Sequence, residues 1–278
     1  MTEINAHHGI LKDVNLHVDD TGGSGRPIVL IHGWPLSGQS WKYQVPAFEA
    51  AGYRVITYDR RGFGRSDKPL TGYGYDSLTS DLEAVLTALD LTDVTLVGFS
   101  MGGGEVARYF GEYSSARIRS VVFASAVPPF LLHAPGNPDG PLSAAEAAKM
   151  TASLTANSDS FWEEFTTNFF SANGELVVPE SERQDAIALA HQASKIAALE
   201  AMASFAGTDF REDLEEIVVP TLIIHGDADA VVPLEGSGAR THAAVPGSQL
   251  HVIVGGPHGI NVSHAEEFNR VVLEFLAT

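Results

Sequence analysis

The sequence predicts an α/β fold: a doubly wound, mostly parallel sheet interrupted once by an all-helical insertion. Three observations predict it. Short, mostly apolar runs alternate with helical patterns from Pro27 to Phe123 and again from Thr221 to the C-terminus. That rhythm breaks at Val127-Pro128-Pro129, and no buried-strand pattern returns before about Asp213. Gly98-Phe99-Ser100-Met101-Gly102 fits G-x-S-x-G and sits between an apolar run, Val94–Val97, and a helical pattern, Glu105–Phe110.

Taken in order, Val14–Val18 alternates apolar and polar residues, as an exposed edge strand does, and Asp20–Gly25 is a turn. Pro27–Ile31 reads as a buried parallel strand ending at His32-Gly33-Trp34-Pro35. Ser40–Ala51 has a helical pattern stopped by Gly52, and Tyr53–Tyr58 is the next strand. Asp59–Asp67 is a charged, glycine-rich loop. Tyr75–Leu89 carries a stripe at Leu78, Leu82, Val85, Leu86 and Leu89, with Asp76 as the expected N-cap. Ile118–Phe123 is a further strand.

In the insertion, Ser143–Leu154 opens with Ser143 and Glu146 in capping-box spacing. Ser158–Phe170 brings Phe161, Phe165, Phe169 and Phe170 onto neighbouring turns, and Ser181–Phe205 reads as two helices. Strands resume at Thr221–Ile224 and Gln249–Val254, with helices at Glu235–Ala244 and His264–Leu276. The expected division is a core of residues 1–126 and 214–278 with a helical cap at 127–213.

Composition narrows the function classes. The 278 residues contain no cysteine, which excludes disulfides, thiolate catalysis and zinc–thiolate sites. The formal net charge of −18 disfavours nucleic acid and anionic membranes as partners. No apolar run reaches the ~18 residues of a membrane span. Met1–Lys12 has neither the basic start nor the apolar run of a secretory leader. The expectation is a cytoplasmic protein, with its oligomeric state left open between monomer and homo-oligomer.

A one-residue turn from strand to helix brings two backbones together, hence the paired glycines. It also forces Ser100 towards a strained conformation, costing about 1–3 kcal/mol. Serine at neutral pH needs a base and an orienting carboxylate. His258, after the last strand, and Asp229, after the preceding one, reach the same sheet edge as Ser100, where open α/β sheets bind ligands. His32 and His225 are competing strand-end histidines, and Asp227 competes with Asp229. Two N–H donors should face the developing oxyanion: Met101, just after the serine, and Trp34. Pro35 restricts Trp34 and sets its carbonyl near the acyl site, or merely ends the turn. Asp59–Ser66 lacks the Lys-Ser/Thr ending of a phosphate loop, so its arginines are expected to pair with carboxylates. Some phenylalanines of the insertion should roof the cleft.

His32–Gly38, Tyr53–Ser66, Val97–Glu105, Ile224–Asp229 and Pro257–Gly259 together resemble the cofactor-free haloperoxidases of the α/β-hydrolase superfamily. This group is also called perhydrolases or non-haem chloroperoxidases, and it is close to aryl esterases and γ-lactamases. The resemblance spans essentially the whole chain. It implies an α/β-hydrolase fold, a triad of Ser100, Asp229 and His258, and oxyanion donors at Trp34 and Met101. It implies an acyl-enzyme on Ser100, made from a small ester, carboxylic acid or lactam, that is released by water or by hydrogen peroxide. The peracid so formed oxidises halide, with no haem, vanadium or other metal. By family position, Pro35, Phe130 or Leu131, Phe165, Phe169, Phe205 and Val231 are candidate substrate-binding residues. γ-Lactamase or amidase chemistry on the same triad and a ligand-binding protein on a hydrolase fold are the alternatives.

Overall fold

The computed structural model describes residues 2–6 and 13–278. Of the Met1–Lys12 stretch read above for a leader, only Thr2–Ala6 is therefore described, and the remainder lies outside the described residues. In chain order the strands are β1 (Thr2–Ala6), β2 (Val14–Asp20), β3 (Pro27–Ile31), β4 (Arg54–Tyr58), β5 (Val94–Phe99), β6 (Ile118–Ala124), β7 (Ser171–Ala172), β8 (Glu175–Leu176), β9 (Thr221–Gly226) and β10 (Gln249–Ile253). Eight of them form one sheet in the order β1-β2-β4-β3-β5-β6-β9-β10. Pairing is parallel from β4 to β10 and antiparallel where β2 meets β1 and β4.

The helices are α1 (Gln44–Ala50), α2 (Tyr75–Ala88), α3 (Met101–Glu112), α4 (Ala144–Ala156), α5 (Ser158–Phe169), α6 (Glu180–Ala190), α7 (Lys195–Gly207), α8 (Arg211–Glu215), α9 (Gly238–Ala244), α10 (Ile260–Ser263) and α11 (Ala265–Leu276). Strands β5 and β9 are buried at every residue, which requires cover on both faces of the sheet. Helices α1 and α11 pack together, and α2, α3, α8 and α9 adjoin in succession. The apolar stripe of α11, at Phe268, Val271, Val272, Phe275 and Leu276, is buried as its spacing demands. No helix among the described residues is long and apolar enough to cross a membrane.

Several expectations are corrected. Strand β2 is not an edge strand, because β1 pairs along it from Thr2↔Val18 to Ala6↔Val14. Asp76 is not the N-cap of α2; Gly74 is. Tyr75 begins the helix so that its ring can pack edge-on to Phe210 (4.7 Å) and its hydroxyl can donate to the Met101 carbonyl. The Asp76 carboxylate accepts from Arg108 instead. The helix expected over Ser40–Ala51 is split into a 3-10 turn, Gly38–Trp41, and α1. Pro46 is the reason. In one continuous helix it would remove an interior hydrogen bond, whereas in the first turn of α1 its missing N–H costs nothing. The Glu235–Ala244 helix likewise breaks at Ser237.

The segment between β6 and β9 is helical except for the small β7–β8 hairpin. Its turn is Asn173-Gly174, both at positive φ (53° and 86°), the chemistry that a two-residue hairpin requires. The expected capping box at Ser143 and Glu146 is present.

Candidate active site

The site grows from the junction of β5 and α3. Ser100 is the single residue between them and is held at φ 53°, ψ −118°. Its N–H donates to the Ala124 carbonyl at 2.9 Å, tying the turn to β6. A Cβ on Gly98 would lie 2.6 Å from the Gly102 carbonyl oxygen, and one on Gly102 would lie 2.5 Å from that of Ile31. Both neighbours are backbone, so no side chain larger than hydrogen fits without moving a strand or a helix.

Three sheet-end loops converge on Ser100. His258 Nε2 is 2.9 Å from Ser100 Oγ, and His258 Nδ1 is 2.7 Å from Asp229 Oδ2. Asp229 Oδ1 accepts from the N–H groups of Val231 (2.9 Å) and Val232 (2.8 Å). All three residues are buried. Burial by itself would push the Asp229 carboxyl up, but the His258 and His225 rings, by charge and hydrogen bonding, hold it well below the usual carboxylate range.

The competing residues lie elsewhere. Asp227 accepts from the Gly255 N–H at 2.6 Å and ties the β9 and β10 loops together. His225 sits behind Asp229 rather than beside Ser100. His32 Nε2 accepts from the Arg60 N–H (2.9 Å), leaving Nδ1–H to donate to the Gly33 carbonyl (2.9 Å). Burial, reinforced by the Arg60 guanidinium, pushes His32 down to about 3, so it stays uncharged at neutral pH.

Both candidate oxyanion donors are at the site. Met101 is the first residue of α3, so its N–H has no intrahelical acceptor. Gly33 lies so close to Ser100 that a Cβ on it would be 3.1 Å from the serine Cβ. The Gly33 carbonyl accepts from both His32 Nδ1 and the Leu36 N–H (2.9 Å), which fixes the peptide plane whose N–H belongs to Trp34. Behind this loop the buried Arg60 guanidinium donates to the His32 carbonyl (2.7 Å) and pairs with the buried Glu105, which also accepts from Tyr58 Oη. Glu105 belongs to α3. The ion pair therefore joins the loop carrying Trp34 to the helix carrying Met101. Arg61 pairs with Asp81, and Arg65 with Asp59 and Asp19, as expected of this loop.

Ser100 opens into a cavity of about 320 Å³. Of the expected pocket residues, Leu131, Phe165, Phe205 and Val231 line it, together with Trp34, the expected oxyanion donor. Val127, Leu142, Met150 and Phe161 also line it and were not among the candidates; Val127 is held at the elbow by its N–H on the Ser100 carbonyl (3.2 Å), whereas Met150 and Phe161 come from α4 and α5 of the insertion. Glu146, Lys149 and Glu164 are charged residues of the lining.

Three expected residues do not line the cavity. Pro35 is buried inside the turn that the Leu36 N–H closes onto the Gly33 carbonyl, joined to Trp34 by a cis peptide. Phe130 turns away beneath the Arg211 guanidinium (5.8 Å), its carbonyl held by Asn137. Phe169 packs edge-on against the His258 ring at 5.0 Å. Beyond Phe169 lies a larger cavity, about 680 Å³, between α6 and the Ser40–Trp41 turn; Ser100 is not part of it.

The Trp34 side chain has a second task that the sequence did not signal. Its Nε1–H donates to the Ala198 carbonyl of α7, and its ring meets Phe161, Trp162, Phe165 and Phe205 edge-on at 5.1–6.1 Å.

A mostly parallel sheet of this order, with a serine on a strained strand-to-helix turn and a histidine–aspartate pair beside it, defines an α/β hydrolase. The family model for the alpha/beta hydrolase fold matches residues 26–265, and the chain belongs to that family. Within it the chain falls with the non-haem haloperoxidases. It is 43% identical over 257 residues to the non-heme chloroperoxidase of Kitasatospora aureofaciens, covering 91% of this chain and 93% of that one. It is 35% identical over 273 residues to a bifunctional esterase/perhydrolase of Acinetobacter calcoaceticus, covering 95% and 96%. The crystal structure of a bromoperoxidase from Bacillus anthracis matches with a TM-score of 0.95 at 50% identity, over 100% of this chain and 99% of that chain.

Proposed function

We propose that this enzyme is a cytoplasmic serine esterase of small carboxylic esters that, with hydrogen peroxide as acceptor, also makes peracids. The observation that carries the reading is the hydrogen-bonded run Ser100–His258–Asp229 opening into a small cavity walled by Leu131, Leu142, Phe165, Phe205 and Val231. An apolar wall around one polar line suits a short acyl chain whose carbonyl carbon faces the serine.

In this mechanism His258 takes the Ser100 proton as Oγ attacks the carbonyl carbon. Asp229 holds the imidazole and stabilises its positive charge. The Trp34 and Met101 amides receive the oxyanion. His258 then returns the proton to the departing alcohol, leaving the acyl-enzyme. Water releases the acid; hydrogen peroxide, entering in its place, releases the peracid. The peracid gives one oxygen to halide in solution, forming hypohalous acid and the parent acid. The Trp34 carbonyl, positioned by the turn through Pro35, is assigned the hydrogen bond from the incoming hydroperoxide. Residues 127–213 form the cap over a core of 1–126 and 214–278, seated on it through the Trp34 ring.

The test is a panel of p-nitrophenyl acetate, a γ-lactam, and acetate with peroxide and bromide, run on wild type and Ser100→Ala. Ester turnover and bromination that both vanish in Ser100→Ala are the expected result. No turnover of any member would sink the enzyme reading. Lactam turnover without esterase activity would favour an amidase.

A further inference from the structure

The strand end that leads to Asp229 holds a second imidazole. His225, the penultimate residue of β9, is fully buried. Its Nε2 lies 2.8 Å from the Val232 carbonyl oxygen and 3.3 Å from Asp229 Oδ2. Both neighbours are acceptors, so Nε2 carries the proton and shares it between them. Nδ1, on the other side of the ring, has no partner. There Gly238, the first residue of α9, approaches so closely that a Cβ would fall 2.6 Å from Nδ1. The ring is wedged between α9 and the Asp229 loop, with a single tautomer that serves its surroundings.

Asp229 Oδ2 thus faces two ring N–H groups, from His258 and from His225, while Oδ1 takes the two backbone N–H groups of Val231 and Val232. The arrangement closes on itself. The His225 N–H holds the Val232 carbonyl, and the Val232 N–H holds the other oxygen of the same carboxylate. Each donor makes that carboxylate a weaker base.

We propose that His225 is a positioning residue: its shared Nε2–H fixes which oxygen of Asp229 meets His258 and limits how basic the His258–Asp229 pair becomes. The proposal rests on the serine-hydrolase reading above. His225 is walled off from the Ser100 cavity and touches no reacting atom. The titratable groups facing the pair are His225 from β9 and Ser100 from the elbow. The uncharged rings of Phe99 of β5 (tilted, 5.3 Å) and Phe169 of α5 (edge-on, 5.0 Å) pack against the His258 ring. Glu146 and Lys149 of α4 and Glu164 of α5 stand along the cavity wall.

Two variants separate the roles. His225→Gln keeps an N–H donor at a similar reach, and His225→Leu removes it. The readouts are the pH dependence of kcat/KM for p-nitrophenyl acetate and of Ser100 labelling by a fluorophosphonate. In His225→Leu the acid limb should move up by about half to one pH unit and kcat/KM at pH 7 should fall about tenfold, the scale of one charge-assisted hydrogen bond. His225→Gln should restore most of both. An acid limb of His225→Leu that coincides with wild type overturns the proposal, as does equal loss in both variants with no shift. If His225→Leu does not fold, nitrogen-15 spectra of the wild type decide: the His225 Nε2–H tautomer at pH 7.5 supports the role, and the Nδ1–H tautomer overturns it. A wild-type chain that takes no fluorophosphonate at any pH refutes the serine-hydrolase reading itself, a result distinct from any of these.

Discussion

Replacing Gly102 by alanine should cripple turnover while leaving substrate binding nearly intact. Gly102 is the second residue of α3, and its Cα faces the end of β3. An added Cβ would sit 2.5 Å from the Ile31 carbonyl oxygen and 3.1 Å from that of His32. Tolerated contacts begin at 3.0 Å and become ordinary at 3.4 Å, so the helix start and the strand end must part by about 0.5–0.9 Å. The opposing oxygens are backbone, at the last residue of β3 and the one after it, so no rotamer relieves the clash. That movement separates the two elements that carry the proposed oxyanion donors, Met101 on α3 and Trp34 just beyond β3. Donors work at about 2.7–3.1 Å, and losing one costs on the order of 10²–10³ in rate. Misplacement approaching 1 Å costs ~10². The expected outcome is therefore a kcat for p-nitrophenyl acetate lower by about 10², with KM changed less than about threefold. Stability should fall by about 1–3 kcal/mol for the overpacking. Steady-state kinetics beside a thermal melt decides the matter. A well-folded Gly102→Ala enzyme with kcat within threefold of wild type would refute the coupling of that contact to the oxyanion site.

Asp229→Asn should retain the fold but lose about 10⁴ in kcat, because an amide cannot hold the productive imidazole tautomer; kcat close to wild type would place the orienting role elsewhere. Arg60→Met should lower stability by about 3–5 kcal/mol, since Glu105 is left buried without its cation. In a chain of this size that is a melting temperature lower by roughly 10 °C, and an unchanged melt would refute the assignment of a working ion pair. Burial would raise the buried Asp59 carboxyl, but the side chain and N–H of Arg65, with the Gly38 N–H, hold it low. Its contribution is therefore fully present above the unfolded value of about 3.9 and is lost as pH falls through the lower folded value. The melting-temperature gap between wild type and Asp59→Asn should be constant from pH 5 to 7 and narrow below about pH 4; a gap independent of pH would contradict this.

The elements that were legible in the sequence are those whose pattern is local. Strands β3, β5 and β9 announce themselves as apolar runs, and α2 and α11 by their stripes. The elbow shows in two glycines flanking Ser100, each of which proves to face backbone. Strand β1 escaped because five alternating residues near a terminus carry little signal until β2 offers them a partner. The single-helix reading of Ser40–Ala51 overlooked Pro46, and the β7–β8 hairpin was signalled by Asn173-Gly174 within a segment read as helical throughout. Phe130 and Phe169 were assigned to the pocket by position in a resembling family, yet position along an insertion does not say which way a ring points.

By itself the chain determined the parallel part of the sheet, the order of its loops and the three residues most able to form a triad, because strand periodicity and turn chemistry are written within a few residues of one another. Only the tertiary structure decided how those residues meet. It set Asp229 rather than Asp227 against His258, placed His225 behind it, and laid the Trp34 ring under the helices of the insertion. Those outcomes depend on how separate loops pack, from His225 and Asp229 on one loop, through Asp229 and His258, 29 residues apart, to Trp34 and Ala198, 164 residues apart, and burial rather than sequence spacing determines them.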